Sequence, residues 1–190
     1  MEEIRIQDVA KKLLFKFTTE TLDALNLLQR YQHNTQLLVV LYSAIDTMAW
    51  VGLPSGDVTP KAFINWADKY LLNAASLPCT AVDLYGARCG LVHSHSATSR
   101  GSKQGTARQI WYYGKDQSAK FIANQIGNRN DVVPVRLLDL ILAFGDAGFQ
   151  YAEDISQDPE ISEQVYKRGS QWLGWVSLDN IDYESNNSAS

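Results

Sequence analysis

Apolar residues recur at helical spacing along most of the chain. Ile4, Val9, Leu13 and Leu14 share one side of a helix between residues 2 and 16, and Leu22, Leu25, Leu28 and Tyr31 continue the pattern to residue 32. This predicts two amphipathic helices, or one bent helix, at the start. The next stretch, from a cap at Asn34 or Thr35 to Val51, is apolar on most sides and predicts a helix at the centre of the core. "LPSGDVTP" breaks the periodicity. Thr59 and Pro60 then suit an N-cap and a first helical position, and Phe63, Trp66, Ala67, Tyr70 and Leu71 follow at helical spacing. After the loop "NAASLPCT", Thr80 can cap a helix running to His93.

Beyond it, "SHSATSRGSKQGT" has the composition of a mobile loop. "RQIWYY" and "AKFIAN", separated by "GKDQS", predict a β-hairpin, although the second segment fits a helical turn equally well. On a strand, Trp111 and Tyr113 would share one face and Tyr112 the other. Pro134 is expected to begin a long amphipathic helix with Val135, Leu138, Ile141, Leu142 and Phe149 on its apolar side. Asp158 and Pro159 are expected to begin another. The expectation is one mainly α domain over residues 1–181, an antiparallel bundle of about five to seven helices with an inserted hairpin. Residues 182–190, "YESNNSAS" and its neighbour, are expected to be a disordered tail.

Composition is that of an ordinary globular protein, and the net charge of −4 argues against a surface coated with basic residues. The charge is unevenly distributed, however. No acidic residue lies between Asp83 and Asp116, a window holding Arg88, Arg100, Lys103, Arg108 and Lys115. From Asp146 to Glu163 there is no Lys or Arg. The basic window offers nucleic acid a place to lie, and Trp111, Tyr112 and Tyr113 can either stack on unpaired bases or pack the hairpin. Two cysteines cannot build a disulfide framework, and "MEEIRIQDVAKK" lacks the apolar core of a signal peptide, so a reduced, cytoplasmic protein is expected. Leu37–Leu53 is barely long enough to span a bilayer and carries Asp46 near its middle, so a buried helix is expected and no membrane.

Candidate chemistry concentrates in "DLYGARCGLVHSHS", residues 83–96, which holds two of the chain's three histidines. Gly86, Gly90 and His93 fall on one side of a helix, where small residues allow another backbone to approach closely. Cys89 and His93 have the spacing of a metal-ligand pair, but the remaining ligands would have to come from His95 and distant His33, so no metal or other cofactor is expected. Arg88 lies at the phase of Ala81, Leu84 and Leu91, where a guanidinium needs a partner or an anionic ligand. Asp46 raises the same demand on its own helix, among Tyr42, Ser43, Ala49 and Trp50. Either Arg88 and Asp46 pair across two packed helices, or Arg88 and His93 face a shared cleft with Asp46 or a tyrosine orienting them.

Arg88 and His93, separated by four residues near the end of a helix in a helical chain, resemble the R-x(4–6)-H signature of HEPN domains (higher eukaryotes and prokaryotes nucleotide-binding). The resemblance covers roughly residues 20–155. It implies a metal-independent endoribonuclease of the toxin or defence type, acting as a homodimer with two motifs facing each other, on RNA or a nucleotide, and in some cases held by a neutralising antitoxin partner. Arg88 and His93 would be catalytic, with Asp46, Ser43, Tyr42, Ser94, His95, Arg100 and Arg108 supporting them or binding substrate. Many catalytic members carry a polar residue after the arginine, where this chain has Cys89. A non-catalytic binding module of the same fold is the alternative, and a purely structural Arg88–Asp46 pair is a third. Residues five apart on an ideal helix point about 140° from each other. The two side chains must therefore reach around, meet through a distortion near Gly90, or work across a two-fold axis at which the glycines admit a second subunit.

Overall fold

A computed structural model describes residues 5–94, 96, 98–114 and 118–169, with the backbone alone given for His93, Ser94 and Ala119. The fold is mainly helical. The opening pattern forms a single helix, α1 (Ile6–Arg30), because no glycine or proline interrupts it and one stripe of Ala10, Leu14, Thr18, Thr21 and Leu25 is buried along its length. Thr18 is tolerated inside because its hydroxyl donates to the Leu14 carbonyl, 2.8 Å away. α2 (Asn34–Val51) is the central helix the pattern predicts, with Leu37, Leu41, Tyr42, Ile45, Met48 and Val51 fully buried.

α3 (Pro60–Trp66) starts where expected, the Thr59 hydroxyl accepting the Ala62 N–H. It continues through a π-helical turn, Ala67–Leu71, into α4 (Leu72–Ala74). α5 (Ala81–Ser94) opens on a reciprocal cap, in which Thr80 and Asp83 each accept the other's backbone N–H. The polar loop after it contains one helical turn, α6 (Arg100–Lys103), capped by Ser99 and Ser102.

The predicted hairpin is not formed. β1 (Gln109–Tyr113) pairs in parallel with β2 (Val132–Arg136), and "AKFIAN" lies in the helix between them, α7 (Ala119–Ile126). Ser118 caps α7 by accepting the Phe121 N–H, and Ile122 and Ile126 bury one face at a spacing of four. Parallel strands require such a crossover. Pro134 therefore lies in β2 opposite Trp111 rather than at a helix start, and α8 (Leu137–Ser156) begins three residues later. A strand at a sheet edge tolerates a proline because one of its sides forms no ladder.

α8 packs along α1 so closely that a Cβ on Gly148 would stand 2.5 Å from the Thr18 hydroxyl. α9 (Pro159–Gly169) starts with Asp158 accepting the N–H groups of Glu160 and Ile161. The main core joins α1, α2, α3, α5, α8 and the inner side of the strands. A smaller one, Ile122, Ile126 and Val132 with Trp111 and Tyr113, lies under α7. Among the described residues, no helix is long and apolar enough to cross a membrane. The expected tail, 182–190, lies outside the described residues.

Candidate functional site

α2 and α5 pack so that Arg88 meets Asp46. Its Nε and Nη2 donate to Asp46 Oδ2 at 2.8 and 2.7 Å, and each side chain is 18% exposed. The phase that made Arg88 anomalous is apolar as predicted, since Ala81, Leu84 and Leu91 are all buried. Desolvation works against the guanidinium's charge, but the hydrogen bond and charge of Asp46, together with Cys89, outweigh it and raise the Arg88 pKa. Arg88 therefore remains a fixed cation at the edge of the core.

Tyr85 belongs to this cluster and was not singled out from the sequence. Burial and a hydrogen bond with Cys89 raise its pKa, while the Arg88 charge pulls it down. Its ring packs edge-on against Phe63 at 5.5 Å. The available signal was its place one turn before Arg88 and Cys89. Cys89 is half-buried, and Cys79 is buried with its thiol pushed up to about 12, by burial first and the Asp83 charge second.

The other predicted site residues scatter. Ser43 is exposed on α2, one turn from Asp46, and its carbonyl accepts the Thr47 hydroxyl. Tyr42 is fully buried and shares a hydrogen bond with the Tyr112 hydroxyl, so it ties α2 to β1 inside the core instead of facing a cleft. Burial foremost, and then Tyr112, hold its pKa well above the ordinary value. Arg108 is engaged within the fold. Its side chain donates twice to Asp83 Oδ2, at 3.0 and 2.7 Å, and once to the Pro78 carbonyl. Arg100 is exposed at the first turn of α6. The backbone of His93 and Ser94 ends α5, while their side chains, and His95 entirely, lie outside the description.

The basic window is thus partly neutralised from within, Arg88 by Asp46 and Arg108 by Asp83. Arg100 and Lys103 remain on the surface, and Lys115 lies outside the described residues. The aromatic run alternates as expected but packs inward. Tyr112 joins the main core, whereas Trp111 and Tyr113 lie under α7, with the Arg129 guanidinium 5.3 Å from the Trp111 ring centroid. Among the described residues, no group of three His, Cys, Asp or Glu is placed to hold a metal.

α5 is an uninterrupted α-helix from Ala81 to Ser94, so no distortion at Gly90 brings Arg88 and His93 together. Their Cα atoms stay about 140° apart around the axis. The glycines do admit a close neighbour, but it is the chain's own following segment and not a second subunit. A Cβ on Gly90 would stand 2.6 Å from the Ser96 carbonyl oxygen, and one on Gly86 would stand 2.9 Å from the Ala107 Cβ. Compared with protein-family models, curated proteins and solved structures, the chain has no significant match.

Proposed function

We propose that the chain is a HEPN-type domain that acts on RNA as a metal-independent endoribonuclease of the toxin or defence class, in the cytoplasm and as a homodimer. The observation that carries this reading is the Asp46–Arg88 pair. It is a guanidinium held across two helices at the edge of the core, five residues ahead of a histidine at a helix end. Guanidinium has five N–H donors in a rigid fork, more than one carboxylate oxygen uses, so a phosphate arriving at the exposed edge finds an oriented cation. Cleavage of RNA at its own 2'-hydroxyl needs that cation for the charge developing on phosphate and a group that moves protons. His93 has the residue type for the second role, worth about 10² to 10⁴ in rate. Because Arg88 and His93 diverge on α5, a complete site is best formed across a two-fold axis, with one chain's arginine beside the other's histidine. Since Gly86 and Gly90 are covered, that axis passes another side of α5.

The test is cleavage of single-stranded RNA by purified protein in EDTA, beside Arg88→Ala and His93→Ala. Loss of cleavage in both variants is expected, and mixing the two should restore part of it by forming mixed dimers. Cleavage unchanged in both would assign the activity to a contaminant. A monomer at high concentration in light scattering would remove the shared site. Expression of the active protein should slow its host, and a neutralising antitoxin would relieve that.

A second reading, a non-catalytic module binding RNA, a nucleotide or a partner protein, is favoured by a specific pair of observations. Arg88 is already engaged by Asp46, and the residue after it is the half-buried Cys89. Saturable RNA binding that needs Arg88, with no cleavage at any enzyme concentration, would select it.

A further inference from the structure

The segment that follows the motif runs back along the helix that carries it. Ser96 donates its N–H to the Gly90 carbonyl at 3.1 Å, and its own carbonyl oxygen, with that of Thr98, lies against Gly90. Farther on, Ala107 and the Ser99 hydroxyl lie against Gly86. The segment ends at Asp83, whose Oδ1 accepts the Arg108 backbone N–H at 2.6 Å and whose Oδ2 accepts the Arg108 guanidinium. Asp83, Gly86 and Gly90 are three and then four residues apart, so they form one stripe along α5. The stripe runs back from the helix end that bears His93.

The strap has its own internal bracing. Ser99 and Ser102 cap α6 reciprocally, and Thr106 and Ala107 both donate N–H groups to the Gly101 carbonyl. It is therefore a preformed piece attached at two points, a charged anchor at Asp83 and a close backbone contact at Gly90. His93 lies at the phase of Gly86 and Gly90, one turn beyond the second anchor.

We propose that Asp83, Gly86 and Gly90 are positioning residues for His93, acting through the strap that they seat. The inference rests on the reading that His93 is used. The Ser96 N–H bond to the Gly90 carbonyl ties the seated strap to the turn of α5 that precedes His93, and through it the strap restrains the end of the helix. A side chain at Gly90 meets backbone atoms, which cannot swing aside, so the strap must lift. A side chain at Gly86 meets the Ala107 methyl, which can be deleted.

The test measures amide exchange across the full chain, together with the proton titration of the His93 imidazole by NMR, assigned with His93→Ala. In Gly86→Ala, strap amides such as Thr106 and Ala107 should exchange about tenfold faster, with the α1 and α8 amides unchanged. The His93 titration should shift with them. Adding Ala107→Gly should return both readings toward the wild type, because the space is restored. Gly90→Ala should open the strap further, and the Gly86 and Ala107 pair decides the matter if that variant does not fold. Strap amides that are unaffected, or a His93 titration that stays fixed while the strap opens, would overturn the proposal. Failure of the endoribonuclease reading is separable, since it would leave RNA untouched by wild-type protein while these exchange and titration readings still report the placement of His93.

Discussion

On one side of α5, Arg88 reaches Asp46 with 18% of each side chain exposed. On the other, Asp83 is 3% exposed and accepts four hydrogen bonds, one from the Thr80 N–H and three from Arg108. Both are aspartate–arginine pairs made by the same helix, yet they do different work. In the Asp83 pair the carboxylate is sealed while the Arg108 side chain keeps 38% exposure, and the donors come from the strap and the helix cap. In the Asp46 pair both side chains keep 18% exposure, and the pair joins two helices. The difference shows that the burial of the carboxylate and the origin of its donors, rather than residue type, decide how firmly such a pair fastens the fold.

The largest expected effect is on the pair whose carboxylate is sealed. Arg108→Ala leaves a carboxylate buried without its counter-ion and should cost about 3 to 5 kcal/mol in denaturant unfolding. A loss below about 1 kcal/mol would show that the Asp83 carboxylate is not sealed, since exposed pairs are worth that little. Arg88→Ala should cost less, about 1 to 3 kcal/mol, because Asp46 keeps some access to water. If Arg88→Ala proves the more damaging of the two, the pair is structural and the catalytic reading of Arg88 loses its support.

Acid should act on the Asp83 pair. Burial alone would raise the Asp83 pKa, but hydrogen bonds from Arg108 and Thr80 more than reverse this and lower it. A depressed folded pKa means that the stabilisation is fully present above the unfolded value of about 3.9 and is lost as pH falls through the folded value. Unfolding midpoints followed from neutral pH down to pH 2 should therefore show a steeper acid limb in the wild type than in Asp83→Asn. Equal limbs would contradict the assignment. The smallest effect concerns the thiols. Near pH 8, iodoacetamide should modify half-buried Cys89 well ahead of buried Cys79, whose thiol is pushed up to about 12. Equal rates would mean that the Cys79 end of α5 opens readily.

Local rules made most helices legible from the chain alone. Thr59–Pro60, Thr80 and Asp158–Pro159 start helices where they were expected, because a cap and a first-turn proline act within three or four residues. The core position of α2 followed from apolar residues on nearly every side. The parallel pairing of β1 with β2 was not legible. Its partner lies some twenty residues away, α7 has too few residues to declare its period, and Pro134 carries the same local signal at an edge strand as at a helix start. The Arg88–Asp46 pair stood among the sequence alternatives, since two charges on apolar faces demand partners. Only packing chose it. The role of Gly86 and Gly90 was half-determined in the same way. Their spacing allowed a close neighbour, but whether it was a second subunit or the chain's own strap depended on where residues 96 and 98–108 lie, a non-local contact that no spacing within α5 encodes.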